Sequence, residues 1–587
     1  MKRAKSLWKD FIFLVRPFWK HGKLLVILTF FSSIVAVPLG LLAGVSVAQA
    51  VIDRILAGST VLDVLGVIGV YFLVYALSTL LQQGVDLFYN SWKKEAISLE
   101  IKRDLFQQAL RTDYRWLDDP AYFQQLNMVL ANLPSRSVNT LSSAAQMIGA
   151  VAGSIVMVSV IAKTGPILAL IVLAFVILSM LLQAKMVKTL NKTFPASVEI
   201  QRRTDYVTRV YQNPGSTAEL KSTFLAEKLG ERFDEYAGKY VDCYRGIMRR
   251  VGIWNMSGTW ATKLTDYVVI LYAAFGLLTG RVESVGVFAT LIAAAAALSA
   301  SLSPLSMFSG LLVQIQQMAG FLRGFFELDS PIENSMGERI STGAHSLEFR
   351  HVDFSYPNSD FAMKNLHFSV APGEHIAIVG ENGAGKTTMM KLLLRLYDVN
   401  NGEILIDGQP LSHYDVRTLR RSIGVAFQES HDYAMSLREN LELYGNKPDD
   451  TLREALRRAG LERLEDALDT DLTKEFDENG SVLSGGEKQK LALARLFCTD
   501  FGLILLDEPS AALDPLAEYE LMQSLMTLAE GKTVVMVAHR LSTVRHMDRI
   551  LVMNHGALVE EGTHEELMAQ NGIYAEMFRK QGENYVD

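Results

Sequence analysis

Cysteine is almost absent from this 587-residue chain, which contains only Cys243 and Cys498. Two cysteines in charged segments provide neither a disulfide framework nor the thiolate ligands of a structural metal site. A strong positive charge is also missing, because the formal net charge is −7 and no basic stripe interleaved with aromatic residues occurs. The composition therefore predicts no disulfide, no structural metal site and no nucleic-acid partner.

Charged residues are scarce over much of residues 1–315, and the whole chain is 49% hydrophobic with a mean hydropathy of +0.16. Crossing a bilayer takes about 20 apolar residues. Six stretches are long enough, and they cover residues 24–51, 61–82, 141–161, 165–187, 254–279 and 283–314. We therefore expect a multi-pass domain in the lipid bilayer, followed by a more highly charged domain in water.

We predict that the protein lies in the cytoplasmic membrane. Both ends of its membrane domain are expected to face the cytoplasm. Six spans place the two ends on one side. The charged residues before the first span are all basic apart from Asp10. A cleaved signal peptide ending at Ala48-Gln49-Ala50 is the alternative. It is disfavoured because the apolar stretch from Leu24 is about twice the usual core of about 7–15 residues.

The connections after the second and fourth spans, residues 83–140 and 188–253, are long and show helical periodicity. Each reverses at a helix-breaking segment, Asp118-Asp119-Pro120 in the first and Asn213-Pro214-Gly215 in the second. We expect helices that project beyond the bilayer and bend at these points. Aromatic residues near the first bend are candidates for anchoring it to the second domain, with packing inside their own hairpin as the alternative. They are Tyr114, Trp116, Tyr122 and Phe123.

Two ionisable residues, Lys263 and Asp266, lie within the fifth predicted span. Charges inside a membrane are costly and are functional candidates by default. Their spacing of three allows them to pair on one helix face. The pair therefore lines a substrate cavity or is a structural pair that neutralises itself, and both interpretations stay open.

A glycine-rich segment lies between an apolar strand, His375–Val379, and a helical run through Leu396. This strand–loop–helix context identifies a Walker A motif, whose backbone N–H groups, lysine and hydroxyl hold phosphates and Mg²⁺. The residues predicted to bind ATP here are Gly380, Asn382, Gly383, Gly385, Lys386, Thr387 and Thr388.

Two adjacent carboxylates, Asp507 and Glu508, follow the apolar run Leu503–Leu506. This run reads as a buried central strand, so Asp507 is predicted to hold Mg²⁺ at its end. Glu508, one residue further on, is placed to orient and polarise an attacking water.

Further motifs follow at plausible separations, namely Gln428, Leu483–Glu487, Ser510–Asp514 and His539. With them the chain resembles an exporter-type half-transporter of the ATP-binding-cassette superfamily. The resemblance implies an all-α six-helix transmembrane domain over residues 1–328, a linker over 329–346 and an α/β P-loop nucleotide-binding domain over 347–587. It implies ATP hydrolysis coupled to transport, with ATP and Mg²⁺ as cofactors.

The resemblance also implies roles for individual residues. Glu508 matches the catalytic base, His539 the switch histidine and Gln428 the Q-loop residue, and these three with Lys386 form the expected catalytic set. Thr387, Gln428 and Asp507 are the expected Mg²⁺ ligands. The remaining ATP-contacting residues are the adenine-stacking Tyr356, the signature residues Ser484, Gly485, Gly486 and Glu487, and the D-loop residue Asp514.

In this family the signature segment caps ATP held by the Walker A loop of a second subunit, so the resemblance implies a dimer of half-transporters. The intact set of Glu508, His539 and Ser484-Gly485-Gly486 favours a homodimer over a heterodimer. Export by alternating access is the expected function. Two rivals are import of a metal-chelating small molecule and a nucleotide-gated channel or regulatory receptor. The substrate stays open among drug-like amphiphiles, lipids and small peptides.

Overall fold

A computed structural model of the protein describes residues 2–341, 343–357, 359, 361–428, 430–509 and 515–583. The chain divides into two compact units. The first comprises Met1–Ala109 and Gln124–Glu327, and the second comprises Leu110–Phe123 and Leu328–Asp587. The first predicted bend, around Asp118, therefore groups with the second unit although it lies within the membrane half of the sequence.

Long α-helices build the membrane half of the chain. They are Lys2–His21, Lys23–Leu56, Val61–Thr79, Ser91–Ala109, Pro120–Thr164, Pro166–Gln212, Leu225–Leu278 and Val285–Phe326, with short helices at Tyr114–Leu117 and Thr217–Ser222. The segment Leu80–Asn90 has π-helical hydrogen bonding and joins two of them. Within the described residues six helices are long and apolar enough to cross a membrane, and each predicted span falls on one of these six.

The predicted projections beyond the bilayer are present as continuous helices. Pro166–Gln212 has 47 residues and Leu225–Leu278 has 54, so at about 1.5 Å per residue both far exceed a hydrocarbon core of about 30 Å. These two helices pack against each other. The two bends are also where the sequence predicts them, since Pro120 begins a new helix and Pro214–Ser216 forms a 3₁₀ turn.

Small residues allow the membrane helices to approach closely. A Cβ atom on Gly149 would lie 2.7 Å from the backbone oxygen of Ser33. In the alanine-rich sixth span, Ala294 and Ala295 are fully buried in a core with Val172 and Val269. In lipid, helices associate through close van der Waals packing and not through the hydrophobic effect, and small side chains allow this close approach.

The described residues of the second unit form ten strands in two sheets. They are β1 Leu347–Ser355, β2 Ala362–Val370, β3 His375–Gly380, β4 Asn401–Ile406, β5 Gln409–Pro410, β6 Ile423–Ala426, β7 Leu503–Asp507, β8 Thr533–Val537, β9 Arg549–Asn554 and β10 Ala557–Gly562. An antiparallel sheet has the order β2-β1-β4-β5. The larger sheet has the order β10-β9-β3-β8-β7-β6 and is parallel except for β10.

Helices cover the larger sheet. They are Lys386–Leu393, Val416–Ser422, Leu437–Leu441, Asp449–Arg458, Gly485–Phe497, Pro515–Ala529, Leu541–Val544, His564–Gln570 and Ile573–Glu583. Because β7 and β8 are fully buried along their lengths, they read as continuous apolar runs, as central parallel strands do. Both cysteines are free, and no group of three or more metal-ligating side chains occurs among the described residues.

Candidate active site

The strand order explains how the predicted motifs meet. Four neighbouring parallel strands of the larger sheet lie side by side in the order β3, β8, β7 and β6. Their carboxyl ends therefore share one edge. The Walker A loop follows β3, His539 follows β8, Asp507 ends β7 and Gln428 follows β6. Ligand sites of α/β sheets lie at this edge.

Two glycines of the Walker A loop are required by its geometry. Gly380 has φ +153° and its Cβ atom would lie 2.1 Å from the backbone oxygen of Met553. Gly385 has φ +104° and caps the helix that begins at Lys386. Both are conformations that favour glycine. The loop therefore turns tightly and presents the N-terminus of the helix, where phosphates bind.

Lys386 is buried within the loop. Its Nζ atom donates to the backbone oxygen of Gly380 at 2.8 Å and to that of Glu381 at 3.0 Å. Burial lowers the pKa of this ammonium, and the charges of Glu508 and Asp507 oppose that shift. The lysine is thus close enough to both carboxylates for their charges to act on it.

Asp507 is 2% exposed, and its Oδ1 atom has no hydrogen-bond partner among the described residues. Burial and the charge of Glu508 raise the pKa of this carboxyl, whereas hydrogen bonding from Thr387 lowers it. A buried carboxylate oxygen without a partner, next to a hydroxyl, suits a hard cation such as Mg²⁺. These residues therefore fit the metal that the sequence implies.

Glu508 joins two other predicted residues. Its carboxylate accepts a hydrogen bond from Nε2 of Gln428 at 2.9 Å, and its other oxygen lies 2.7 Å from Nε2 of His539. Glu508 has φ +51°, a left-handed conformation that is uncommon for residues other than glycine. Its backbone N–H donates to Val537 on the neighbouring strand, which holds this conformation in place. A cavity of about 260 Å³ opens beside Glu508 and His539.

Tyr356 lies in a cluster of aromatic residues next to the Walker A helix. Its hydroxyl is 3.1 Å from that of Thr388, and its ring packs edge-on against Phe354 and Tyr397. The Nζ atom of Lys391 is 5.6 Å from the centre of the Tyr356 ring. The structure thus places the predicted adenine-stacking residue beside the phosphate loop.

The signature segment is arranged separately. Ser484 caps the helix Gly485–Phe497, and its hydroxyl and backbone N–H both donate to the Glu487 carboxylate. Ser484 and Gly485 are exposed, and no described hydrogen bond or ion pair links the segment to Lys386. Asp514, with the rest of Ser510–Asp514, lies outside the described residues.

Two predicted aromatic residues of the first bend, Tyr114 and Trp116, contact other parts of the second unit, to which the bend belongs. Tyr114 packs edge-on against Tyr397 at 5.7 Å and lies under Lys391. Trp116 donates to the backbone oxygen of Asp329 at 2.9 Å. Tyr122 instead packs against Trp116 within the bend, and the side chain of Phe123 lies outside the described part. Anchoring is therefore confirmed for Tyr114, whereas Tyr122 follows the alternative of packing within the hairpin.

Lys263 and Asp266 form the predicted pair, with 3.0 Å between Nζ and Oδ2. The hydroxyl of Ser299, on the next span, donates to the other oxygen of Asp266. Lys263 is 58% exposed and Asp266 is 17% exposed. The pairing is confirmed, and Lys263 is the more exposed member of the pair.

Three residues of these clusters were not predicted from the sequence. Lys391 and Tyr397 pack against Tyr356. The sequence signal that could have indicated them is their position on, and just after, the Walker A helix. Gln581 contacts the backbone of His539 at 2.6 Å. No local pattern marks Gln581, because it is one polar residue on an amphipathic helix.

Comparisons with known proteins agree with this geometry. Residues 363–511 match the family model described as "ABC transporter". The chain is 28% identical to an uncharacterized ABC transporter ATP-binding protein of Bacillus subtilis, YfiC, over 99% of this chain and 96% of the relative. It is 29% identical to an ATP-dependent lipid A-core flippase of Alkalilimnicola ehrlichii over 98% and 96% of the two chains.

The fold is shared with a solved structure of a bacterial Atm1-family ABC exporter with ATP bound. The two chains align with a TM-score of 0.75 and 23% identity, covering 94% of this chain and 98% of the other. Six apolar helices ahead of an α/β nucleotide-binding fold confirm the predicted fold class. Residues 363–511 thus carry an ABC transporter domain, and the chain is similar over nearly its whole length to ABC transporters, which implies ATP hydrolysis coupled to transport.

Proposed function

We propose that this half-transporter exports an amphiphilic lipid as a homodimer in the cytoplasmic membrane. The observation that carries the proposal is the complete hydrolytic centre. Glu508 contacts both Gln428 and His539, next to a buried Asp507 oxygen without a described partner. A regulatory or channel protein does not require this arrangement, because gating by bound nucleotide needs no base for hydrolysis.

Each residue of the centre has one chemical task in this proposal. Lys386 and the loop N–H groups bind the phosphates, and Tyr356 stacks on the adenine. Glu508 accepts a proton from the attacking water, and His539 contacts the terminal phosphate. Thr387, Gln428 and Asp507 hold Mg²⁺, which neutralises phosphate charge when bound.

The proposed dimer follows from the signature segment. Ser484 and Gly485 are exposed. Among the described contacts, their hydrogen bonds stay within the first turn of the helix that they begin. A helix N-terminus with free N–H groups attracts anions such as a terminal phosphate. We assign that phosphate to ATP on a second copy of the chain, with Asp514 communicating across the interface. Closure of two such sites then opens the membrane domain outward.

The proposed topology and domain limits follow the sequence. The basic N-terminus and the nucleotide-binding domain face the cytoplasm, where ATP is present. The transmembrane domain occupies residues 1–328, the linker 329–346 and the nucleotide-binding domain 347–587. Contacts of Asp113 with the Ser330 hydroxyl and with the backbone N–H of Glu333 support a linker that packs against the first bend.

The substrate class rests on relatives and on the membrane pair. Several relatives are described as ATP-dependent lipid A-core flippases. The exposed ammonium of Lys263, paired with Asp266 in an apolar span, is suited to a ligand with an apolar body and a polar head. We therefore place Lys263 and Asp266 in the substrate path and rank lipids above peptides and drug-like amphiphiles.

The test is a comparison of ATPase stimulation in lipid nanodiscs. The wild-type protein is titrated with lipids, small peptides and drug-like amphiphiles, and Glu508→Gln is the inactive control. Stimulation by lipids alone supports the proposal, and movement of a labelled lipid between leaflets of proteoliposomes confirms the direction. Stimulation only by peptides or drug-like compounds would contradict the lipid assignment.

A further inference from the structure

One side chain, Gln581, holds the backbone on both sides of Arg540. Its Nε2 atom donates to the backbone oxygen of His539 at 2.6 Å, and its Oε1 atom accepts from the backbone N–H of Leu541 at 2.8 Å. A backbone N–H only donates and a carbonyl only accepts, so the two partners define which way the amide points.

The helix that carries Gln581, Ile573–Glu583, is firmly attached to the domain. Tyr574 and Ala575 are fully buried. The carboxylate of Glu560 accepts from the backbone N–H groups of Ile573 and Tyr574, at 2.5 and 3.0 Å. The hydroxyl of Tyr574 lies 2.8 Å from Nδ1 of His564. Gln581 therefore projects from a fixed support.

The backbone of His539 determines where its ring lies. The side chain of His539 is 42% exposed, so packing holds it only in part. Its Nε2 atom must nevertheless stay within 2.7 Å of Glu508. On the far side, Arg540 is paired with Glu518. The peptide between His539 and Leu541 is thus anchored by Gln581 and by the Arg540 side chain together.

The second bond of Gln581 supports the same segment. Leu541 begins the four-residue helix Leu541–Val544, whose cap residue, Arg540, provides no side-chain cap. The first N–H groups of a helix lack internal partners. Gln581 supplies the missing acceptor for Leu541. Without it, the turn that follows His539 loses a bond at its first residue.

We infer that Gln581 is a positioning residue for ATP hydrolysis, through which the C-terminal helix sets the position of His539 against Glu508. The inference rests on the proposed role of His539 in hydrolysis. It predicts that loss of Gln581 lowers the rate of hydrolysis and leaves ATP binding nearly unchanged, because the ATP-binding loop is elsewhere in the chain.

The test measures steady-state ATPase activity of the full-length protein in nanodiscs for Gln581→Met. Methionine keeps the length and packing of glutamine and removes both hydrogen bonds. We expect kcat to fall about tenfold and KM for ATP to stay within about twofold, the pattern of an interaction that matters in the transition state. In the His539→Ala background the same substitution should cause no further loss.

Two controls separate positioning from general stability. Tyr574→Phe removes the contact with His564 on the same helix and leaves Gln581 in place. Gln581→Glu keeps an acceptor for Leu541, but it donates to His539 only when protonated. Its kcat relative to wild type should therefore rise as the pH is lowered from about 8 to about 6, toward the range in which carboxyls protonate.

The outcomes are distinct. If Gln581→Met leaves kcat unchanged while His539→Ala lowers it, this inference is overturned and the proposed centre stands. If His539→Ala leaves hydrolysis unchanged, the proposed role of His539 fails and the inference falls with it. The inference also fails if Tyr574→Phe lowers kcat as much as Gln581→Met does, or if the Gln581→Glu ratio does not change with pH.

Discussion

The phenol of Tyr397 donates a hydrogen bond of 2.7 Å to Oδ2 of Asp118, although 279 residues separate them. Burial raises the pKa of Tyr397, and the bond to Asp118 raises it further, so the phenol stays a donor at all physiological pH values. Tyr397 also packs against Tyr356 and Tyr114. The first bend is therefore bonded directly to the residues around the proposed adenine site.

Replacing Tyr397 with Phe should weaken communication between ATP hydrolysis and transport. Phenylalanine keeps the ring packing and removes one hydrogen bond to a charged group, an interaction of about 1.5–3 kcal/mol. We expect KM for ATP to stay within about twofold, while stimulation of ATPase activity by substrate falls by at least half. The measurement is basal and stimulated ATPase activity in the same nanodisc preparation.

Tyr414→Phe is the matched control for this substitution. Its hydroxyl donates to the backbone oxygen of Ile406 at 2.9 Å, within the nucleotide-binding fold and apart from the bend. Asp118→Asn should reproduce the Tyr397→Phe phenotype, and the double variant should be no worse than either single one. Additive losses, or unchanged stimulation in Tyr397→Phe, would show that this bond does not couple the two activities.

Glu508→Gln should abolish turnover without preventing ATP binding. Glutamine has the same shape and can remain beside Gln428 and His539, but it cannot accept the proton of the attacking water. General-base catalysis contributes about 10²–10⁴-fold, so kcat should fall by at least about 100-fold. Phosphate release measures turnover, and retention of labelled ATP measures the closed state. The control is Glu374→Gln, which alters a carboxylate paired with Arg549 instead.

Cys498 should resist thiol reagents in the folded protein. It is 5% exposed, and burial raises the pKa of its thiol from 9.0 to about 11. Since the thiolate is the reactive form, maleimide at pH 8 should label Cys243 and leave Cys498 unmodified until the protein is unfolded. Single-cysteine variants, Cys243→Ser and Cys498→Ser, assign the label. Rapid labelling of folded Cys243→Ser protein would disprove the prediction.

The same thiol makes stability depend on pH in the alkaline range. Its folded pKa lies above the unfolded value, so the folded state retains a proton that the unfolded state loses. The stabilisation is complete below pH 9 and is lost as the pH rises toward about 11. Thermal unfolding of wild type should thus lose more stability between these values than Cys498→Ala does. Parallel curves for the two proteins would contradict this assignment.

The membrane pair can be tested by removing both charges. Lys263→Met with Asp266→Asn leaves no unpaired charge in the span, so folding and basal ATPase activity should be retained. If the pair lies in the substrate path, stimulation by substrate should be lost. A control on the same helix removes the ion pair of Glu235 and Lys239, which lies outside the predicted span. Normal stimulation of the first double variant would instead identify a purely structural pair.

Much of the architecture was predictable because it depends on short contiguous stretches. Apolar runs of sufficient length marked all six membrane helices, and the strand before Gly380 and the run before Asp507 marked the centre of the larger sheet. Helix ends were less predictable. The fifth span was expected over 254–279 and the connection before it as helical, and the structure joins the two in one helix whose start at Leu225 the sequence does not mark.

The amino-acid order was sufficient for the Walker A loop, the adjacent Asp507 and Glu508, and the number of spans, since each depends on backbone conformation or hydrophobicity within about 30 residues. Folding was needed to bring Tyr397 to Asp118 and Gln581 to His539. These pairs join segments far apart in the chain, and a tyrosine or glutamine carries no local mark of its partner. Which polar groups meet depends on how helices and strands pack, and that is a property of the folded chain as a whole.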